Sequence, residues 1–286
     1  MTRLPGDGEK VTADTGSARV WNVTEPDRSF ARGDFLSVGP SLFRRVREGG
    51  RRRARLAWLR RTRPPEVSLH GFRVAVDYQR WSKTMVEVFY RGLYEVDEVE
   101  VLRRVVRPGD RVLDVGAAVG VGTMAAAEVV GSDRVWAVEA NPELIALADR
   151  NFALNGLSPT LIHAAVVPDA HTEDTAQLFL HEHFWSNALF AKVSDARPVS
   201  VPARRISELV QELQPNVLVL DVEGLERDLV LGTDMSPVQV LIIETHARYA
   251  GRRAASDIVA YGLEQGFAID LVDGVGETLV LTKRLP

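Results

Sequence analysis

Residues Val112–Thr123 read VLDVGAAVGVGT, and the fold of the chain turns on how this stretch is read. VLDV is an apolar run of strand length that contains one carboxylate, Asp114. GAAVGVG carries glycines at 116, 120 and 122, and the TMAAAEVV that follows is rich in alanine and helix-forming. Strand, glycine loop and helix make the geometry in which backbone N–H groups at a helix N-terminus receive the negative charge of a ligand. Gly116 allows the tight turn, and Gly120 and Gly122 let ligand and helix approach closely. A second signal follows about 20 residues on, where Arg134–Glu139 (RVWAVE) reads as the next strand and ends in Glu139. A carboxylate at that position accepts hydrogen bonds from the two vicinal hydroxyls of a ribose. Together these features point to a nucleoside ligand over the edge of a parallel sheet. A close-packed strand–turn–helix without a ligand is the plainer alternative, and Asp114 and Glu139 at matching strand ends count against it.

The 286 residues are 45% hydrophobic and 26% charged, enough for one large α/β domain with a buried core. The net charge of −4 argues neither for nor against nucleic acid. There is no cysteine, which excludes disulfides, zinc–thiolate sites and cysteine nucleophiles. No apolar run approaches the ~18 residues of a membrane span. The first thirty residues lack an apolar signal core, so the expected location is the cytoplasm.

Residues 1–33 are polar and without period, and read as a loosely attached tail. Residues 34–63 concentrate arginine: Arg44, Arg45, Arg47, Arg51, Arg52, Arg53, Arg55, Arg60, Arg61 and Arg63 are interrupted only by Glu48. Leu42, Phe43, Val46, Leu56, Trp58 and Leu59 lie between them. A solvated helix whose apolar side packs on the following domain is the favoured reading, and a basic helix that meets an anionic partner is the other. Pro64-Pro65 closes this extension, and the domain proper is expected over 66–286.

Within it, Phe72–Asp77 alternates like a strand, and Ser82–Arg91 and Val96–Val106 read as helices. After Glu139, Asn141-Pro142 opens a helix that Asn155-Gly156 stops. Thr160–Val167 is expected as one strand, Val199–Ala203 as a short strand and Ile206–Leu213 as a helix. Val217–Val222 and Val238–Glu244 are nearly continuous apolar strands, hence central. Leu225–Leu231 and residues 254–265 read as helices, and Phe267–Leu271 with Glu277–Thr282 as a closing hairpin. Strands that alternate with helices, then a hairpin, give an α/β fold: a Rossmann-like, seven-stranded, mostly parallel sheet with an antiparallel last strand and helices on both faces.

The glycine loop reads GxxxGxG behind Asp114 rather than the GxGxxG of dinucleotide sites. It resembles the loop of S-adenosylmethionine-dependent methyltransferases. Tyr94-Glu95 and the helix after it, LDVGAAVGVGT, VEANP at 138–142, RNFALNG at 150–156, DVEGLE at 221–226 and IIETH at 242–246 are together similar to the FkbM family of such enzymes. DVEG followed by ETH is the more specific part. The resemblance spans residues 67–283 and implies a class I methyltransferase fold, S-adenosyl-L-methionine as cofactor and O-methylation of a sugar or secondary metabolite. It implies cofactor-binding roles for Asp114, Gly116, Ala117, Gly120, Gly122, Thr123, Glu139, Ala140 and Asn141. Asp169, after the third strand, is placed to reach the adenine amino group or else to serve as a turn acid. The chain departs from the family at Ala118, where Asn is usual, and at Val219, where Lys is frequent.

Methyl transfer from a sulfonium is an in-line displacement that needs the nucleophile ~3–3.5 Å from the methyl carbon. A hydroxyl nucleophile gains ~10²–10⁴-fold from a general base. Such groups sit at the carboxyl ends of the strands, which selects Asp221, Glu223, Glu244 and His246. Asp221 is expected to orient the substrate or act as base, against a cap of the next helix. Glu223 is expected to bind a substrate hydroxyl, against a helix-dipole role. His246 is expected as a base, against a structural histidine. A metal-free site is expected; a divalent cation held by these four with a vicinal diol is the variant. His163 is assigned to the core, His181 and His183 to a solvated strand face, and Trp185 to packing. The expected partner is a small-molecule acceptor, with no nucleic acid, and the oligomeric state is open. N-methylation, RNA methylation through the arginine segment and a degenerate binding module are the competing functions.

Overall fold

The structure is a computed structural model in which residues 53–180, 197–246, 250–275 and 278–284 are described. Residues 53–62 are helical, and Leu56–Pro286 forms one compact unit. Its strands in chain order are β1 (Glu66–Leu69), β2 (Phe72–Ala75), β3 (Val112–Val115), β4 (Val135–Glu139), β5 (Thr160–His163), β6 (Ala165–Val167), β7 (Thr175–Leu180), β8 (Arg197–Arg205), β9 (Val217–Leu220), β10 (Val240–Glu244), β11 (Ala268–Val275) and β12 (Thr278–Thr282). The helices that follow residue 66 are α1 (Lys83–Arg91), α2 (Val96–Val105), α3 (Val121–Val130), α4 (Pro142–Leu154), α5 (Ile206–Leu213), α6 (Glu226–Val230) and α7 (Arg252–Glu264).

Seven strands form the main sheet in the order β11-β12-β10-β9-β3-β4-β5. β10, β9, β3, β4 and β5 run parallel, and β12 is antiparallel to both of its neighbours. This is the expected class. Side chains alternate across a strand, so an all-apolar strand serves two cores. Val112, Val217, Val219, Val240 and Ile242 enter one layer with Leu102, Met124 and Ala148 from α2, α3 and α4. Leu113, Val115, Leu218, Leu220, Leu241 and Ile243 enter the other with Leu209, Leu229 and Ile258 from α5, α6 and α7. Polar clamps set the register at the strand starts. Asn216 Oδ1 accepts the Arg111 N–H at 2.7 Å, and its Nδ2 donates to Asp110 Oδ1 at 2.9 Å. A slip of one residue would exchange the two faces.

Four expectations change. Thr160–Val167 is not one strand: it breaks at Ala164. β4 ends where α4 begins, so the residues beyond Ala164 have no partner left there and β6 pairs with β8 in a separate sheet, β6-β8-β7. His163 is consequently exposed, not core, with Nε2 3.1 Å from the Ala140 carbonyl. β8 runs Arg197–Arg205, longer than the expected 199–203, because it pairs with β6 on one side and β7 on the other. β1 was not expected at all. It forms a hairpin with β2 across His70 and Gly71, both at positive φ (50° and 97°), a turn conformation usually signalled by Asn-Gly.

Of the arginine segment, Leu59 is buried and Leu56 packs beside it, while Arg60 pairs with Glu87 at the surface. That much agrees with a solvated helix lying on the domain. The tail 1–33, Arg44 to Arg52, His181, His183 and Trp185 lie outside the described residues. Among the described residues no helix is long and apolar enough to cross a membrane.

Candidate active site

Glycine is required where β3 meets β9. Gly116 has φ +94°, and a Cβ there would lie 1.8 Å from the Asp221 carbonyl oxygen. The turn is held by the Gly116 and Ala117 N–H groups, which both donate to the Val138 carbonyl, at 2.9 and 3.1 Å. The other two glycines make room for the protein's own side chains. A Cβ at Gly120 would lie 2.4 Å from the Phe152 ring of α4, and one at Gly122 would lie 2.3 Å from Glu98 Oε1. The N-terminus of α3 is also occupied from within: Gly122 N–H donates to Glu95 Oε2 at 3.1 Å. The chain's own Glu95 thus fills the acceptor position at this helix N-terminus, with burial raising its proton affinity.

Asp114 is buried and accepts a 2.5 Å hydrogen bond from Thr123 Oγ1, which braces β3 against α3. Burial pushes its carboxyl up to about 6, against the Thr123 bond that favours the charged form. Glu139, at the end of β4, is only 7% exposed. Its Oε1 accepts the Asn141 N–H at 2.6 Å and its Oε2 the Ala118 N–H at 2.8 Å. Burial pushes it up to about 7, against those backbone bonds. Ala118 pays for its place in this contact with φ +45°, a left-handed conformation strained for alanine.

A cavity of about 700 Å³ opens at the carboxyl ends of the parallel strands, as open α/β sheets lead one to expect. Gly116, Glu139 and Ala140 line it. Asp114, Ala117, Gly120, Gly122, Thr123 and Asn141 are not among its lining residues. Asp169 does not line it either, and accepts from Ser207 Oγ at 2.6 Å. Glu95, Asp97, Glu98, Asp221, Glu223 and Glu244 add six carboxylates to the lining; among the described residues His246 is the one basic side chain there, with no Lys or Arg.

Asp221, Glu223 and His246 meet in this cavity because β9 and β10 are adjacent and in register, Leu220 opposite Ile243. His246 Nδ1 lies 2.9 Å from Glu226 Oε1, and Nε2 lies 3.4 Å from Glu223 Oε2 and 3.5 Å from Asp221 Oδ1. Burial alone would lower the proton affinity of His246. The Glu226 hydrogen bond and the charges of Asp221, Glu226 and Glu223 outweigh it and push the imidazole up to about 10. With no other cation among the described residues of the cluster, these neighbours favour the protonated imidazole over a free base. Burial pushes Asp221 well above the carboxylate range, with Glu244 adding and His246 opposing. Burial pushes Glu223 up to about 7, with His246 again opposing. Asp221 does not cap the next helix. That helix has no side-chain cap, and Glu226 Oε1 instead braces the loop before it by accepting the Val222 and Gly224 N–H groups, both at 3.1 Å. Glu223 and His246 sit at φ +55° and +43°, and non-glycine residues in that region cost about 1–3 kcal/mol each and cluster at functional sites.

The sequence reading gave no site role to Glu95, Glu98 or Glu226. Glu95 stands 27 residues from the Gly122 amide that it accepts, and Glu226 stands 20 from His246. Only the position of Glu226 inside DVEGLE could have signalled it.

The chain is similar to known proteins. The sequence aligns with protein-L-isoaspartate O-methyltransferase 1 of Arabidopsis thaliana at 34% identity over 155 residues, 53% of this chain. The chain thereby spans 63% of that relative, under two thirds of its length. Among solved structures, a tRNA (uracil-54, C5)-methyltransferase of Pyrococcus abyssi in complex with S-adenosyl-L-homocysteine superposes with TM-score 0.45 at 13% identity, over 77% of this chain and 44% of that one. A SAM-dependent O-methyltransferase of Thermotoga maritima superposes with TM-score 0.41 at 17% identity, over 68% and 66%. Residues 114–269, from the aspartate of the glycine loop to the hairpin, match the Methyltransferase FkbM domain, and the chain belongs to that family of methyltransferases.

Proposed function

We propose that the protein transfers the methyl group of S-adenosylmethionine to a hydroxyl oxygen of a small acceptor, a sugar or secondary metabolite. The observation that carries this reading is that Glu139 and the cluster Asp221, Glu223 and His246 line one cavity. Glu139 fits a ribose: each of its oxygens is already held by a backbone N–H and still presents acceptor capacity. The acidic lining fits a ligand that carries positive charge. S-adenosylmethionine, when bound, supplies the methyl as an electrophile on a sulfonium.

The chain's own part is to bind, orient and take up a proton. Glu139 accepts from the ribose hydroxyls. Asp221, whose Oδ1 is buried without a hydrogen bond, offers an acceptor for the substrate hydroxyl. Glu223, with its proton affinity near neutrality, is matched to receiving that hydroxyl's proton. His246 holds the two carboxylates in place and keeps them from repelling each other apart. Calorimetric titration with S-adenosylhomocysteine tests the cofactor half. Saturable binding that Glu139→Ala abolishes, followed by methyl transfer to a hydroxyl in an acceptor screen, supports the reading. Absence of binding to the unaltered protein would overturn it.

A further inference from the structure

The ends of β9 and β10 bring one imidazole and several carboxylates together. The DVE of one strand end and the ETH of the other lie side by side through the Leu220–Ile243 register. The side chain of His246 is 8% exposed, and Glu226 binds its Nδ1. Its Nε2 is aimed at three carboxylates without a hydrogen bond to any: Glu223 Oε2 at 3.4 Å, Asp221 Oδ1 at 3.5 Å and Glu244 Oε1 at 4.0 Å. Asp221 Oδ1 is itself fully buried and makes no hydrogen bond. A histidine–carboxylate hydrogen bond closes to about 2.7–2.9 Å. These separations are wider. They fit ligand atoms around a common centre, since octahedral ligands at ~2.1 Å from a cation stand ~3 Å apart when adjacent and ~4.2 Å apart when opposite.

We propose that Asp221, Glu223 and His246, with Glu244 at the rim, bind one divalent cation of the Mg²⁺ or Mn²⁺ type. One donor atom from each of the first three already lies within 4.8 Å of the other two. The donor set is carboxylate oxygen with a single imidazole, which suits a hard cation and not a soft one. Glu226 supplies the outer contact that metal-binding histidines generally have: a carboxylate on Nδ1 that fixes the ring and turns Nε2 to the ligand. Gly224 at φ +108° and Glu223 at φ +55° turn the chain back after β9, which returns Glu223 to the same side as Asp221. The proposal deepens the methyl-transfer reading: the acceptor hydroxyl, or two vicinal hydroxyls, would be held at the cation beside the cofactor rather than by bare carboxylates. Its existence as a site does not depend on that use.

The test uses the full chain, stripped with a chelator and titrated with MnCl₂, with free Mn²⁺ followed by electron paramagnetic resonance. The expected result is saturable uptake of one Mn²⁺ per chain. Uptake weakens about tenfold or more in Glu223→Gln and again in Glu244→Gln, each with an unchanged circular dichroism melt. No saturable uptake below about 1 mM would overturn the proposal. So would uptake in Glu223→Gln equal to that of the unaltered chain, which would put the ion elsewhere. Calorimetry with S-adenosylhomocysteine on the same stripped protein separates the two readings. Cofactor-product binding without Mn²⁺ uptake sinks the cation site alone, and Mn²⁺ uptake without cofactor-product binding upholds it while the methyl-transfer reading falls.

Discussion

Glu139→Ala should cost affinity far more than it costs stability. The carboxyl is buried, and its proton affinity stands at about 7 instead of 4.5. Holding it ionised in the folded chain therefore costs about 3 kcal/mol at pH above 7. Removing it relieves that cost but strands the Ala118 and Asn141 N–H groups, at about 1–3 kcal/mol each. The two effects nearly cancel, and the variant stays folded. Two ribose hydroxyls that donate to a carboxylate contribute about 1.5–3 kcal/mol each. Their loss corresponds to a rise in the Kd for S-adenosylhomocysteine of about 10²–10⁴-fold, at about 1.4 kcal/mol per tenfold. Glu139→Gln, which keeps one acceptor oxygen, should fall between. The pH dependence has a definite sign. Between pH 4.5 and about 7 the folded chain holds a proton here that the unfolded chain has released, so this group's contribution to stability declines as pH rises through that window. Binding runs the other way: the ionised acceptor is the better ribose ligand, so affinity should fall by up to about tenfold per pH unit below 7, and Glu139→Gln should lack this dependence. Titration calorimetry at pH 6, 7 and 8 reads all of it. Equal affinity in the unaltered chain and in Glu139→Ala would refute the ribose assignment.

Three further outcomes are expected. Gly116→Ala would drive a Cβ onto the Asp221 carbonyl and should lower Tm by roughly 5–15 °C in a thermal melt, from about 2–5 kcal/mol of strain and overpacking; an unchanged Tm would mean that β3 and β9 can part at no cost. Ala118→Asn places at φ +45° a residue that tolerates it and should raise Tm by about 2–4 °C without weakening S-adenosylhomocysteine, whereas a fall in Tm would show the alanine to be unstrained. Asp221→Asn should leave S-adenosylhomocysteine affinity intact and lower single-turnover methyl transfer about tenfold or more, and normal turnover would remove Asp221 from the chemistry.

The parallel core was legible because its signals are local. A largely apolar VLDV and an all-apolar VLVL must be covered on both faces, and the 3.6-residue period marked Ile206–Leu213 with the bounds that the structure shows. The residues of the candidate site were legible for the same reason: Glu139, Asp221, Glu223 and His246 each end or follow such a strand. What those residues are to one another was not. The chain's own acid at the α3 N-terminus, the Phe152 ring against Gly120, the Glu226 behind His246 and the raised proton affinity of that imidazole all depend on neighbours 20 to 32 residues away in sequence. Spacing along a chain says which strand end a side chain occupies. Proton affinity and coordination depend on burial and on charges a few ångströms away, and only the packing of β9 against β3 and β10 brings those together.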